Sequence, residues 1–120
     1  MTETLCCEGI LPILKPKGKS SFYLIKVIRK ITGIKKVGHT GTLDPFATGV
    51  MVLLIGKPYT RQSDALMADE KEYEATFKFG TCTDSYDCDG QITATSNHEP
   101  TMQQVEEALT HFKGSFYQTP

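Results

Sequence analysis

The first half of this 120-residue sequence is nearly devoid of negative charge. Between Glu8 and Asp64 the only carboxylate is Asp44. The four cysteines, Cys6, Cys7, Cys82 and Cys88, lack the two-to-four-residue spacing of zinc modules. No low-complexity tract is present, which excludes a compositionally disordered chain. The longest aliphatic run, Val50–Ile55, is far too short to span a bilayer as a helix. Met1–Gly9 is polar and acidic, unlike a secretory signal. A reduced, cytoplasmic protein with no membrane association is therefore expected.

What is present is a polarity of charge. The net charge is only −1, with 39% apolar and 22% charged residues. Yet Lys15, Lys17, Lys19, Lys26, Arg29, Lys30, Lys35 and Lys36 crowd the stretch before Asp44. This basic segment reads either as a solvated helix face or as a phosphate-binding surface.

The pattern of elements predicts an α+β domain with a mixed, largely antiparallel sheet and flanking helices. Gly9–Leu14 reads as a strand closed by a Lys-Pro-Lys-Gly turn. Ser20 or Ser21 can cap a helix running to about Thr32, with Leu24, Val27, Ile28 and Ile31 inward, Lys26, Arg29 and Lys30 outward, and Gly33 as its stop. Val50–Ile55 has the length and aliphatic character of a strand buried on both faces. Residues 57–68 allow a short helix. Alternation over Tyr73, Ala75, Phe77 and Phe79 predicts a half-buried strand, returning through Gln91–Thr95 in a long hairpin. Thr101 and Gln104 form a capping box for a helix with Met102, Val105, Leu109 and Phe112 on one stripe.

Residues 38–49 read Gly-His-Thr-Gly-Thr-Leu-Asp-Pro-Phe-Ala-Thr-Gly. Three glycines permit close approach of another molecule, and Pro45 biases Asp44 toward an extended backbone. Asp44 reads either as a loop residue bonded to backbone amides or as a reactive carboxylate. Surrounding cations favour its ionised form, which suits a nucleophile or base.

Several other chemistries are excluded. The phospho-aspartate loop of ion pumps shares Thr-Gly-Thr but needs its aspartate where Gly38 stands. No Gly-Lys-Ser/Thr follows, as a Walker loop requires. Ser85–Ser96 has serine at both ends of a would-be calcium loop, whose last position requires glutamate. His98 and His111 lie far from His39 and Asp44, so no metal is expected.

These segments resemble the bacterial tRNA pseudouridine synthase B family, in its N-terminal catalytic portion. Lys15–Ser21 is similar to the family's opening Lys-Pro-x-Gly-x-Thr/Ser-Ser. Residues 38–49 match its catalytic loop almost letter for letter. Lys71-Glu72-Tyr73 matches its Lys-x-Tyr motif. Gly80 and Thr83–Gly90 resemble its Thr-Asp-Thr-x-Asp-x-x-Gly turn, and Gln118-Thr119-Pro120 its Gln-x-Pro-Pro segment.

The resemblance implies an isomerase that converts uridine 55 in the TΨC stem-loop of tRNA to pseudouridine. It implies no cofactor and no obligate protein partner. Asp44 would be the nucleophile, Tyr73 would stack on the target base, and His39 would touch RNA at the flipped-out nucleotide. Lys19, Gly41 and Thr42 would complete the substrate contacts. A guide-RNA-dependent synthase of the dyskerin type and a non-catalytic RNA-binding or tRNA-folding module are the alternatives.

Family members are about twice this length. Residues 1–120 are therefore expected to be the N-terminal part of a catalytic domain, without the C-terminal half and its arginine partner for Asp44. Little or no activity is expected of this segment alone.

Overall fold

The computed structural model describes residues 7–120. Cys6 and most of the polar N-terminal segment lie outside the described residues. The chain divides into two compact units, one ending at Tyr73 and one from Glu74 to Pro120. Helices and antiparallel strands make up the described residues, the α+β class expected.

In the first unit, β1 (Gly9–Lys15) and β2 (Val37–His39) flank β3 (Gly49–Ile55), all antiparallel. β3 is central because it is the most apolar segment. Its Leu53 and Leu54 are fully buried, although Val50 at its start is exposed. Helix α1 (Ser21–Thr32) packs Leu24, Ile25 and Ile28 into a cluster with Val37, Met51, Leu53 and Ile55.

The inward face of α1 differs from the expected stripe at two positions. Ile25 is buried while Ile31 is 52% exposed. The buried set is Ser21, Leu24, Ile25, Ile28 and Thr32, a stripe fixed by the inward turn of Ser21 at one end and Thr32 at the other. Thr32 satisfies its buried hydroxyl by donating to the Ile28 carbonyl at 2.7 Å. Gly33 ends the helix with φ of 72°, its N–H donating to Arg29 O, a geometry glycine adopts without Cβ strain. Two short helices, α2 (Lys57–Thr60) and α3 (Ser63–Met67), follow β3.

The second unit contains the hairpin of β4 (Thr81–Thr83) and β5 (Ile92–Thr95) and helix α4 (Met102–Leu109). The capping box at Thr101 and Gln104 is formed in both directions. The expected strand over residues 73–79 is not formed, and the hairpin is correspondingly short. Tyr73, Phe77 and Phe79 are all exposed. Alternation stabilises a strand only where a neighbouring strand and a covered face exist, and residues 73–79 have no strand partner. The stripe of α4 is likewise open, with Met102, Leu109 and Phe112 exposed. Phe112 meets Phe116 edge-on, at 6.2 Å between centroids. Among the described residues, the buried apolar side chains all lie between Leu24 and Ile55.

Candidate active site

The site is built where the segment between β1 and α1 meets the loop between β2 and β3. Lys15, the last residue of β1, is fully buried. Its ammonium donates to the carbonyls of Pro16 (2.9 Å), Lys19 (2.8 Å) and Pro45 (3.2 Å). A buried ammonium has three donors, and here each has an acceptor. Gly18 N–H donates to the same Pro45 carbonyl at 2.6 Å. Lys15 therefore leaves the set of cations open to phosphate. The other seven of the basic segment are exposed.

The paired serines divide the work. Ser20 caps α1, its hydroxyl accepting from Tyr23 N–H at 3.1 Å. Ser21 turns inward instead. Its Oγ donates to Leu43 O (2.9 Å) and accepts from Leu43 N–H (3.0 Å) and Thr42 Oγ1 (2.9 Å). The Leu43 side chain packs against the core cluster. Asp44 thus stands between two anchored neighbours, Leu43 on one side and Pro45 on the other. It is itself exposed. The Asp44 carbonyl accepts from Ala47 N–H at 2.9 Å, while its carboxylate makes no hydrogen bond among the described residues. The bland reading, a carboxylate tied to backbone amides, is not what the loop does.

The other expected site residues are placed as follows. His39 lies on β2, opposite Leu53 of β3. Its Nδ1 is buried and has no hydrogen-bond partner among the described residues. Gly41 faces the Lys71 stem: a Cβ there would sit 3.7 Å from Lys71 Cε. That approach brings the start of the Lys71-Glu72-Tyr73 segment to the loop. Tyr73 is 67% exposed. Thr42 is committed to Ser21, and the Lys19 ammonium rests 4.7 Å from the Tyr23 ring centroid. Ser21 was legible only as a possible cap. The available signal was the Ser-Ser pair itself, since one helix start needs only one capping side chain.

On the outward face of α1, the Lys26 ammonium and the Arg29 guanidinium lie 5.1 Å and 5.8 Å from the Phe22 ring centroid. These distances are in cation–π range. Among the described residues no group of three His, Cys, Asp or Glu could hold a metal. Cys7, Cys82 and Cys88 are free.

The TruB family pseudouridylate synthase profile, N-terminal domain, matches residues 29–120. A protein of Protochlamydia amoebophila named tRNA pseudouridine synthase B is 56% identical over 113 residues, covering 94% of this chain and 43% of the relative. A protein of the same name from Chlamydia felis is 54% identical, covering 94% and 48%. Another from Chlamydia trachomatis serovar L2 is 50% identical over 119 residues, covering 99% and 48%. The chain spans about half the length of these curated relatives. With a family match over residues 29–120 and relatives of the same name along nearly all of its length, this chain belongs to the TruB family of pseudouridylate synthases, matching its N-terminal domain.

Proposed function

We propose that this chain carries the catalytic loop of a tRNA pseudouridine synthase acting on uridine 55 in the TΨC loop, with Asp44 as its nucleophile. The observation that carries this reading is the exposed Asp44 carboxylate between two residues fixed by hydrogen bonds. A free carboxylate on a restrained backbone suits attack on a substrate brought to it.

The reaction breaks the bond between ribose C1′ and uracil N1, turns the base, and joins C1′ to C5. The proton lost from C5 is matched by one gained at N1, so the product is an isomer and no redox partner enters. A base held in a folded RNA must first be extruded, at a cost of a few kcal/mol. Exposed Tyr73 offers a stacking face, worth about 1–3 kcal/mol per base. His39, half-buried at the end of β2 where the loop begins, is the residue we assign to an RNA contact beside the flipped-out nucleotide. The exposed cations before Asp44 supply phosphate contacts.

The test is Asp44→Asn in the complete protein carrying this segment. The expected result is loss of pseudouridine at position 55 with tRNA binding retained. Pseudouridine formed at the wild-type rate would remove Asp44 from the mechanism. A protein that binds tRNA but forms no pseudouridine even with Asp44 intact would be the non-catalytic RNA-binding module instead. Residues 1–120 alone should show little turnover beside a chain of the relatives' full length, and robust turnover by the short segment would refute that.

A further inference from the structure

We propose that Ser21 is a positioning residue for the Asp44 carboxylate, an inference that rests on the role given to Asp44 above. A hydroxyl offers one donor and two acceptor sites. Ser21 uses all three on the two residues before Asp44: it donates to Leu43 O and accepts from Leu43 N–H and Thr42 Oγ1. It is 6% exposed, so water cannot readily replace any of these bonds.

The consequence follows from peptide planarity. The Leu43 carbonyl belongs to the same rigid plane as the Asp44 nitrogen. Holding that oxygen fixes the direction in which the chain enters Asp44. On the far side, Gly18 N–H and the Lys15 ammonium hold Pro45 O, and the proline ring fixes its own φ. The freedom left at the centre is chiefly the φ, ψ and side-chain torsions of Asp44. Ser21 controls the incoming half of this arrangement and belongs to α1, so the helix is the reference against which the carboxylate is aimed.

Removing the hydroxyl leaves the Leu43 side chain packed against the core cluster. The loop should therefore stay in place and lose precision. A misplacement of about 1 Å at a reacting group can cost about 100-fold in rate.

The experiment uses the complete protein carrying this segment. Ser21→Ala is expected to lower the single-turnover rate at saturating tRNA by about 10–100-fold, with the Kd for tRNA within about twofold of wild type. Ser21→Thr, which keeps the hydroxyl, should recover most of that rate. If Ser21→Ala does not fold, Ser21→Cys keeps the shape while weakening all three bonds, and the same split between rate and binding is expected. A Ser21→Ala rate within twofold of wild type overturns the inference. So does a parallel loss of rate and tRNA binding, or a Ser21→Thr protein no better than Ser21→Ala. Asp44→Asn, measured alongside, separates the two levels. If it still forms pseudouridine, the role of Asp44 fails. If it is inactive while Ser21→Ala is unimpaired, only the role of Ser21 fails.

Discussion

The Lys15 ammonium donates to the carbonyl of Pro45 at 3.2 Å, across 30 positions of sequence. Two further carbonyls share the same ammonium, and no water reaches it. Replacing Lys15 by methionine keeps the stem, leaves the Pro16 and Lys19 carbonyls without their donor, and leaves Pro45 O with Gly18 N–H alone. Hydrogen bonds to a charged group contribute about 1.5–3 kcal/mol each, and buried acceptors left bare add a cost. Lys15→Met should destabilise the chain by about 2–4 kcal/mol in urea denaturation. Its effect on the salt dependence of tRNA binding should be nil. A loss below about 1 kcal/mol would show that the buried ammonium contributes little.

The outward face of α1 makes the opposite prediction. Lys26 and Arg29 are exposed around Phe22, and no acidic residue lies on the helix. Lys26→Gln with Arg29→Gln should cost only about 1 kcal/mol, from the exposed Arg29 Nε–H bond to Lys35 O and the contacts to Phe22. If both contact phosphate, the slope of log K against log salt for tRNA should shrink by about one per residue. Fluorescence anisotropy over a potassium chloride series reads this directly. An unchanged slope would place the RNA elsewhere.

The hairpin turn carries an acid-sensitive group. Asp87 Oδ1 accepts from Ser85 Oγ and from Asp89 N–H at 2.9 Å. The Ser85 hydroxyl, then the Asp89 amide, hold this carboxyl below its ordinary 3.8. A carboxyl lowered on folding stabilises the structure above its unfolded value and stops doing so as pH falls through its folded value. The turn should be indifferent to pH between about 5 and 8 and loosen below 3.8. The Asp89 amide, followed by NMR through an acid titration, should lose its downfield shift there. Asp87→Asn should abolish that transition, and its survival would assign it to another group.

Amide exchange should divide the chain at the boundary between its two units. β3 is bonded on both sides and buried through Leu53 and Leu54. The second unit buries no apolar side chain among the described residues. Local opening is easiest where few apolar contacts resist it. β3 amides should exchange slowest and α4 amides much faster. Equal protection in β3 and α4 would mean that the second unit is stabilised by something other than its own packing.

The contrast between these elements also shows what local sequence could reveal. The caps of α1 and α4, the glycine stop and the central aliphatic strand follow from short-range chemistry, and all were legible. The family motif over residues 38–49 was legible because its residues are contiguous. Lys15 was not, since its charge suggested solvent or phosphate and its burial depends on three carbonyls that only folding brings together. The expected stripe included Ile31, which is exposed, and omitted Ile25, which is buried, because apolar residues surround much of α1 and packing decides which enter the core. The strand over residues 73–79 failed for the same kind of reason. Alternation is a local property, while a strand requires a partner.

The anchoring of Leu43 to Ser21 has a thermal consequence. Ser21 belongs to the first turn of α1, and helix ends open more easily than sheet centres. On warming, that turn should loosen the chain entering Asp44 while Pro45 is still held and β1 and β3 are still paired. The temperature at which the carboxylate loses its aim is then set by one helical turn, below the temperature at which the sheet melts.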